Sequence, residues 1–311
     1  MRTFHALLSC LLTGVFLLPG FGTGAAQAAT VPGAEPCPAD AGWDTPSAPH
    51  HIHGSTWYVG TCGITALLVT SPQGHILLDG GTTAGGRLIE ANIRALGFRM
   101  EDVRFIGSSH EHHDHVAGIA HLQQASGATV VARTPAAEVL WRGNGSREDP
   151  QFEMLEAFAP VTGGIRLIGH GQVLALGPLQ LTAHATPAHA PGGTSWTWRS
   201  CADDGVCVDL AYVDSLTTIS DDSWRFSDEA AHPGYVDTVL NALDVVAGLP
   251  CDILVTPHPA ASDLWARIGP AANRPLAAPG ACRAYAEQAR QRLQRRLASE
   301  QADQPTDPAG H

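Results

Sequence analysis

The segment Val103-Arg104-Phe105-Ile106-Gly107-Ser108-Ser109-His110-Glu111-His112-His113-Asp114-His115-Val116 decides how this chain is read. Residues 103–108 are apolar and β-like and predict a strand. The rest is H-x-H-x-D-H. In extended backbone, residues two apart project to the same side, so His110 and His112 can grip one metal ion. Asp114 and His115 sit where the chain enters a helix predicted over 116–125, within reach of a second ion. Imidazole and carboxylate are donors that zinc accepts at about 2.0–2.2 Å. An isolated aspartate at this point would read only as a helix N-cap; beside three histidines it reads as a ligand. Glu111 and His113 alternate away from the ions, towards solvent or a supporting place behind the ligands.

Further ligands must come from elsewhere in the chain. His189, in Thr186-Pro187-Ala188-His189-Ala190-Pro191-Gly192-Gly193-Thr194, lies in a turn after a predicted strand. His258, in Val255-Thr256-Pro257-His258-Pro259, follows the last predicted strand. Strand ends are where α/β proteins carry their functional loops. His110, His112 and His189 are therefore assigned to a first ion, and Asp114, His115 and His258 to a second. Three protein ligands per ion leave a position open for water, the catalytic arrangement.

Working outward, strands are predicted at 56–59, 64–70, 75–79, 129–132, 173–174, 179–184, 194–199, 208–213 and 252–255. Helices are predicted at 87–96, 236–247 and 285–299. Residues 29–50 read as an irregular lead-in and 141–160 as a long loop. No linker or repeat interrupts this interleaving, so 29–311 is expected to be one α/β domain. The chain has 311 residues, 44% hydrophobic and 15% charged, which excludes disorder and coiled coil. Its 33 Gly and 22 Pro favour short elements joined by turns. The net charge of −12 argues against nucleic acid and anionic lipid as partners. All 18 basic residues are Arg, so lysine Schiff bases and Walker lysines are excluded.

Residues 1–28 read as a secretory signal peptide: Arg2, an apolar stretch at 6–18, then Ala26-Gln27-Ala28 as the cleavage site. The stretch is too short to span a bilayer, which takes about 20 residues. The expected location is the periplasm, without a membrane anchor. Cys10 leaves with the peptide, and Cys37, Cys62, Cys201, Cys207, Cys251 and Cys282 remain. An even count in an exported chain suggests disulfides, and sequence-adjacent pairing is the simplest of the connectivities open to it. With no C-x-x-C, a thiolate zinc site is not expected.

H-x-H-x-D-H, the T-P-x-H-x-P-G turn and T-P-H-P together resemble the metallo-β-lactamase superfamily, and in particular its subclass B3. The resemblance extends over Tyr58-Val59-Gly60-Thr61, Gly192-Gly193-Thr194-Ser195-Trp196-Thr197-Trp198, Asp214-Ser215-Leu216 and Cys282-Arg283-Ala284-Tyr285. It implies an αβ/βα four-layer sandwich and two Zn²⁺ per chain on the six ligands above. It also implies hydrolysis of the β-lactam amide of penicillins, cephalosporins and carbapenems by a metal-held hydroxide, conferring antibiotic resistance. Asp114 is then both ligand and catalytic residue, Ser215 and Thr217 bind the substrate carboxylate, and Asp79 braces the metal loop from behind. The Cys251–Cys282 pair carries over, and some members have the other two pairs. The substrate is a small molecule and the chain is expected to act as a monomer. The alternative is a thioesterase or lactonase of the same superfamily, glyoxalase II-like, in which an aspartate bridges the metals; Asp214 is the residue for that role. Trp196 and Trp198 are expected to pack in a sheet. Arg292, Arg295 and Arg296 are expected on a solvated helix face.

Overall fold

The computed structural model describes residues 36–303. The expected signal segment, 1–28, lies outside the described residues. The first half of the chain runs β1 (His50–His53), β2 (Thr56–Tyr58), β3 (Leu67–Val69), β4 (His75–Leu78), α1 (Gly85–Ala95), β5 (Val103–Gly107), α2 (His113–Val116), α3 (Ile119–Ser126), β6 (Thr129–Ala132), α4 (Thr134–Arg142) and β7 (Ile165–Leu167). The second half runs β8 (Val173–Leu176), β9 (Leu179–Ala185), β10 (Thr194–Cys201), β11 (Cys207–Tyr212), α5 (Tyr235–Ala247), β12 (Ile253–Val255) and α6 (Ala281–Ala302).

Strands β1 to β7 form one sheet in chain order, antiparallel as far as β4 and parallel from β4 onward. The second sheet has the order β12-β11-β10-β9-β8, with β11 and β12 parallel. Alternation along the strands builds the layers. Leu67, Val69, Ile76 and Leu78 point into the space between the sheets, against Leu181, Trp196, Leu210 and Tyr212. The intervening Leu68 and Leu77 turn outward onto Ile89, Ile93, Ile119 and Leu140 of α1, α3 and α4. On the other side, Ala211 and Leu254 meet Val239, Leu243, Tyr285 and Ala289 of α5 and α6. The result is the expected αβ/βα sandwich. Trp196 and Trp198 are packed in the core between the sheets, as expected.

Four local readings change. The lead-in contains β1, paired antiparallel with β2. The predicted loop 141–160 begins only after α4, whose ends carry a proline in the first turn and the left-handed Gly143. Strand β7 was not expected. The helix predicted over 116–125 is broken, because Gly118 packs backbone to backbone against Gly80 and Gly86: a Cβ there would collide with Gly80 O and lie 2.7 Å from Gly86 Cα.

Both sheets bring the carboxyl ends of strands to one edge, and a buried carboxylate ties them together. Asp79 follows β4 in the left-handed region, φ 66°. Its Oδ1 accepts Ser109 N–H (2.6 Å), and its Oδ2 accepts the Ser109 hydroxyl (2.7 Å) and the Tyr212 hydroxyl from β11 (2.6 Å). Trp196 Nε1 adds a bond to Ser108 O (3.0 Å), and Thr194 N one to Ser109 O (2.6 Å). The histidine-rich loop after β5 is thus anchored from both sheets.

Three disulfides join Cys37–Cys62, Cys201–Cys207 and Cys251–Cys282, the sequence-adjacent pairing. The first fastens the lead-in beside the β2–β3 connection. The second staples the turn end of the β10–β11 hairpin, where the two cysteines are register partners. The third ties the chain before β12 to the first turn of α6.

Two outcomes follow from these ties. Cys251 and Cys282 are 31 residues apart, and closing such a loop is worth about 3–4 kcal/mol in the chain-entropy description. Cys282→Ser is expected to lower Tm in a thermal scan, with no change in the other two disulfides by peptide mapping. In Asp79→Asn the left-handed backbone is tolerated, but charge-assisted bonds are lost. Urea titration of the metal-free protein should show a loss of about 2–3 kcal/mol, against about 1 kcal/mol for Tyr212→Phe, which removes one donor.

Candidate metal centre

Strand β5 ends at Gly107, and Ser108–Ser109 deliver His110 and His112 in extended backbone; the chain then turns into α2, which carries Asp114 and His115. His189 comes from the turn between β9 and β10, and His258 from the end of β12. All six predicted ligands meet at one place. The rings of His110 and His112 are 4.7 Å apart, and each lies 4.9 Å from that of His189. Ligand atoms of these three fall within 4.8 Å of one another. Next to them, Asp114 Oδ2 lies 3.1 Å from His115 Nε2 and 3.4 Å from His258 Nε2, and the two nitrogens are 3.3 Å apart. His110 also falls in range of Asp114 and His115, so the two groups adjoin.

Each ring is oriented by the nitrogen that faces away. His110 Nδ1–H donates to Asp214 Oδ1 (2.8 Å), leaving Nε2 buried and without a partner. His112 Nε2–H donates to Asp149 Oδ2 (2.8 Å), which turns Nδ1 inward. His189 Nδ1 meets Thr217 O (3.0 Å) and the Thr217 hydroxyl (2.8 Å). His115 Nδ1 lies 3.4 Å from Asp79 Oδ2. Acceptors behind His110, His112 and His189 fix the tautomer that offers a lone pair forward.

The electrostatics suit a cation. Burial and the adjoining His115 and His112 hold His110 well below its ordinary range, and burial pushes His189 down to about 3. Both are therefore neutral donors. Burial opposes charge on Asp114, but His115 and His258 overcome it and hold the carboxyl far below the usual carboxylate range. Burial likewise opposes charge on His115, yet Asp114 and Asp79 outweigh it and raise its pKa to about 10. The site attracts positive charge, and an orphaned buried nitrogen among four other imidazoles and a carboxylate fits a divalent metal ion.

The remaining predicted residues follow β11. Asp214 is fully buried behind His110; burial, with Asp79 and Glu111 nearby, raises its carboxyl well above the usual range. Ser215 is buried next to it. Thr217 stands at His189, and Gln151 Nε2 lies 3.3 Å from His189 Nε2. Glu111 is buried, not solvated. Its Oε1 accepts Gly192 N–H (2.7 Å) and so holds the turn that carries His189. Burial and Asp149 push its pKa up to about 7. Arg133 Nη1 donates to Gly193 O (2.7 Å) in the same turn. His113 points away from the cluster onto Trp43, 5.5 Å between ring centres.

Sequence reasoning missed Asp149 and Gln151, which sit in a segment without periodicity. It also placed Arg296 on a solvated face. Arg296 Nη2 instead donates to Ser220 Oγ (2.7 Å), Nε pairs with Glu300, and the guanidinium lies 5.5 Å from the Phe226 ring. Glu300 Oε2 accepts Ser227 N–H (2.7 Å). The end of α6 therefore pins the segment that follows Thr217.

Comparison with known proteins agrees with this geometry. The family model described as Metallo-beta-lactamase superfamily matches residues 59–258. MIM-1 from Novosphingobium pentaromativorans is 48% identical, with a TM-score of 0.80 over 84% of this chain and 94% of that one. MEM-A1, a subclass B3 metallo-beta-lactamase from a soil metagenome library, is 43% identical, with a TM-score of 0.79 over 85% and 100%. SMB-1, solved with mercaptoacetic acid, is 44% identical, with a TM-score of 0.78 over 84% and 100%. With identity at this level over nearly the whole length of its relatives, and with the metal-ligand cluster in place, the chain belongs to the metallo-β-lactamase superfamily and, within it, to the subclass B3 enzymes.

Proposed function

We propose that this β-lactam hydrolase works with two zinc ions, the first held by His110, His112 and His189 and the second by Asp114, His115 and His258. The observation that carries the reading is the forward convergence of these six side chains while Asp214, Asp149 and Thr217 occupy the rear nitrogens of His110, His112 and His189. Bound there, zinc supplies Lewis-acid polarisation of the lactam carbonyl and lowers the pKa of the attacking water. The chain's own residues do the rest. The neutral imidazoles of His110 and His189 keep their lone pairs forward, and Asp114 keeps a fixed negative charge at the reacting centre. Ser215 and Thr217 stand at one side to hold the substrate carboxylate by hydroxyl bonds, the task that no lysine is present to perform. Gln151 and its neighbours in 143–160 form the opposite wall. With His258 one-third exposed, the second group opens to solvent and admits substrate. Among the described residues no helix is long and apolar enough to cross a membrane. Three disulfides support export, so the signal peptide is read as cleaved near Ala28 and the periplasm as the working location, with the chain acting as a monomer.

The glyoxalase II-like thioesterase or lactonase is disfavoured by the placement of Asp214. Its Oδ1 binds the far side of His110, and Gly193 crowds its Oδ2, so it does not stand between the two groups. Assays of nitrocefin and imipenem beside a thioester and a lactone, with and without EDTA, test the assignment. Turnover of the β-lactams that EDTA abolishes and zinc restores is expected.

Asp114→Asn replaces a charged ligand with a poorer, neutral one. Metal analysis should show loss at the second site, and kcat should fall by orders of magnitude. Asp214→Asn removes only the support of His110, so it should weaken the first site by about 10–100-fold yet fill at saturating zinc. Ser215→Ala should keep zinc and mainly raise KM, by up to about a hundredfold, the worth of a hydroxyl–carboxylate bond. Stripping of both ions in Asp214→Asn with a silent Ser215→Ala would reinstate the bridging aspartate.

A further inference from the structure

The segment between α4 and β7 has little regular structure, yet its two buried polar side chains, Asp149 and Gln151, both turn to histidines of the cluster. Asp149 is 1% exposed. Its Oδ2 accepts His112 Nε2–H at 2.8 Å and its Oδ1 accepts Gln151 N–H at 2.8 Å, while Gln151 Nε2 reaches His189. One carboxylate thus touches a metal-ligand histidine with one oxygen and folds its own segment with the other, whereas the Gln151 amide lies at His189 Nε2, the nitrogen that faces the metal position, and gives way when metal binds. Two further bonds extend the tie across the pocket. Asp221 N–H donates to Pro150 O (2.8 Å), and Asp221 Oδ2 accepts Glu153 N–H (3.0 Å). Asp221 belongs to the segment that carries Ser215 and Thr217, and Arg296 binds the adjacent Ser220.

We infer that Asp149 is a positioning residue that couples the substrate wall 143–160 to occupancy of the first metal site. This rests on the reading of His110, His112 and His189 as the ligands of that site. A ring free to rotate about its side-chain bonds presents either nitrogen; Asp149 selects Nδ1 for the metal by binding Nε2–H. The same bond holds the wall only while His112 keeps that tautomer. Coupling of this kind is reciprocal: a metal that fixes His112 orders the wall, and a wall that is in place raises metal affinity.

The test uses the full mature chain, stripped of metal, as wild type, Asp149→Asn, Asp149→Glu and Asp221→Asn. Zinc affinity is measured by competition with a chromophoric chelator, and amide hydrogen exchange is followed with and without zinc. In wild type, zinc should slow exchange across 147–154 and across 217–224. In Asp149→Asn the first-site affinity should fall by about 10–100-fold, and the zinc-dependent protection of 147–154 should be lost even at saturation, with Tm of the metal-free protein unchanged. Asp149→Glu keeps the carboxylate and should recover part of the affinity. Asp221→Asn should keep wild-type affinity and protection of 147–154 while losing the protection of 217–224. Wild-type affinity and protection in Asp149→Asn would overturn the coupling and leave the metal assignment standing, as would zinc uptake by wild type with no protection of 147–154. Failure of the wild type to take up zinc would overturn both.

Discussion

A buried imidazole has two nitrogens, and a dry interior leaves neither without consequence. If one is to offer a lone pair to a metal, the other must give its proton to something behind it. This requirement organises the catalytic edge of the protein. Asp214 takes that proton from His110, Asp149 from His112 and Thr217 from His189, while Asp79 adds its charge 3.4 Å behind His115. The four supports come from three different segments of chain, after β4, between α4 and β7, and after β11. The ligand cluster therefore fixes loops that share no sequence neighbourhood, and the loops in turn hold the cluster open towards solvent.

The same logic explains why the two sheets meet where they do. Asp79 sits in a backbone conformation that costs energy for a side chain other than glycine. It is held there by donors from β11 and from the loop after β5. Removing either sheet would leave a buried carboxylate unsatisfied, which is costly. The loop of histidines is rigid because it is caught between the sheets rather than because of its own sequence.

Much of this was legible in the sequence because it depends on local geometry. Two residues apart in extended chain means the same side, so His110 and His112 declared their partnership. The alternation of Leu67, Leu68 and Val69, or of Trp196 and Trp198, is equally local. Asp149 and Glu111 were not legible in their roles. Nothing near Asp149 in the sequence distinguishes it from a surface aspartate; only the folding back of 143–160 brings it to His112. Glu111 alternates away from the metal, as expected, but what lies on that side is a backbone N–H of a turn 81 residues further on. Helix α4 could have been found from Pro135 at its start and Gly143 at its end. The break between α2 and α3 could not, because it arises from contact of Gly118 with two other glycines.

The spacing of the ligands along the chain has a kinetic meaning. His115 and His258 are 143 residues apart and follow strands of different sheets, β5 and β12, and β12 is the last strand of the described residues. No nascent fragment that ends before β12 owns the third donor of the second group. The cluster is thus assembled by contacts of long sequence separation, made as one sheet packs on the other, and not by a local metal-binding peptide that could nucleate the fold. Completion of the Asp114, His115 and His258 group is thus a clock for the docking of the two sheets: it comes only when the molecule is topologically complete.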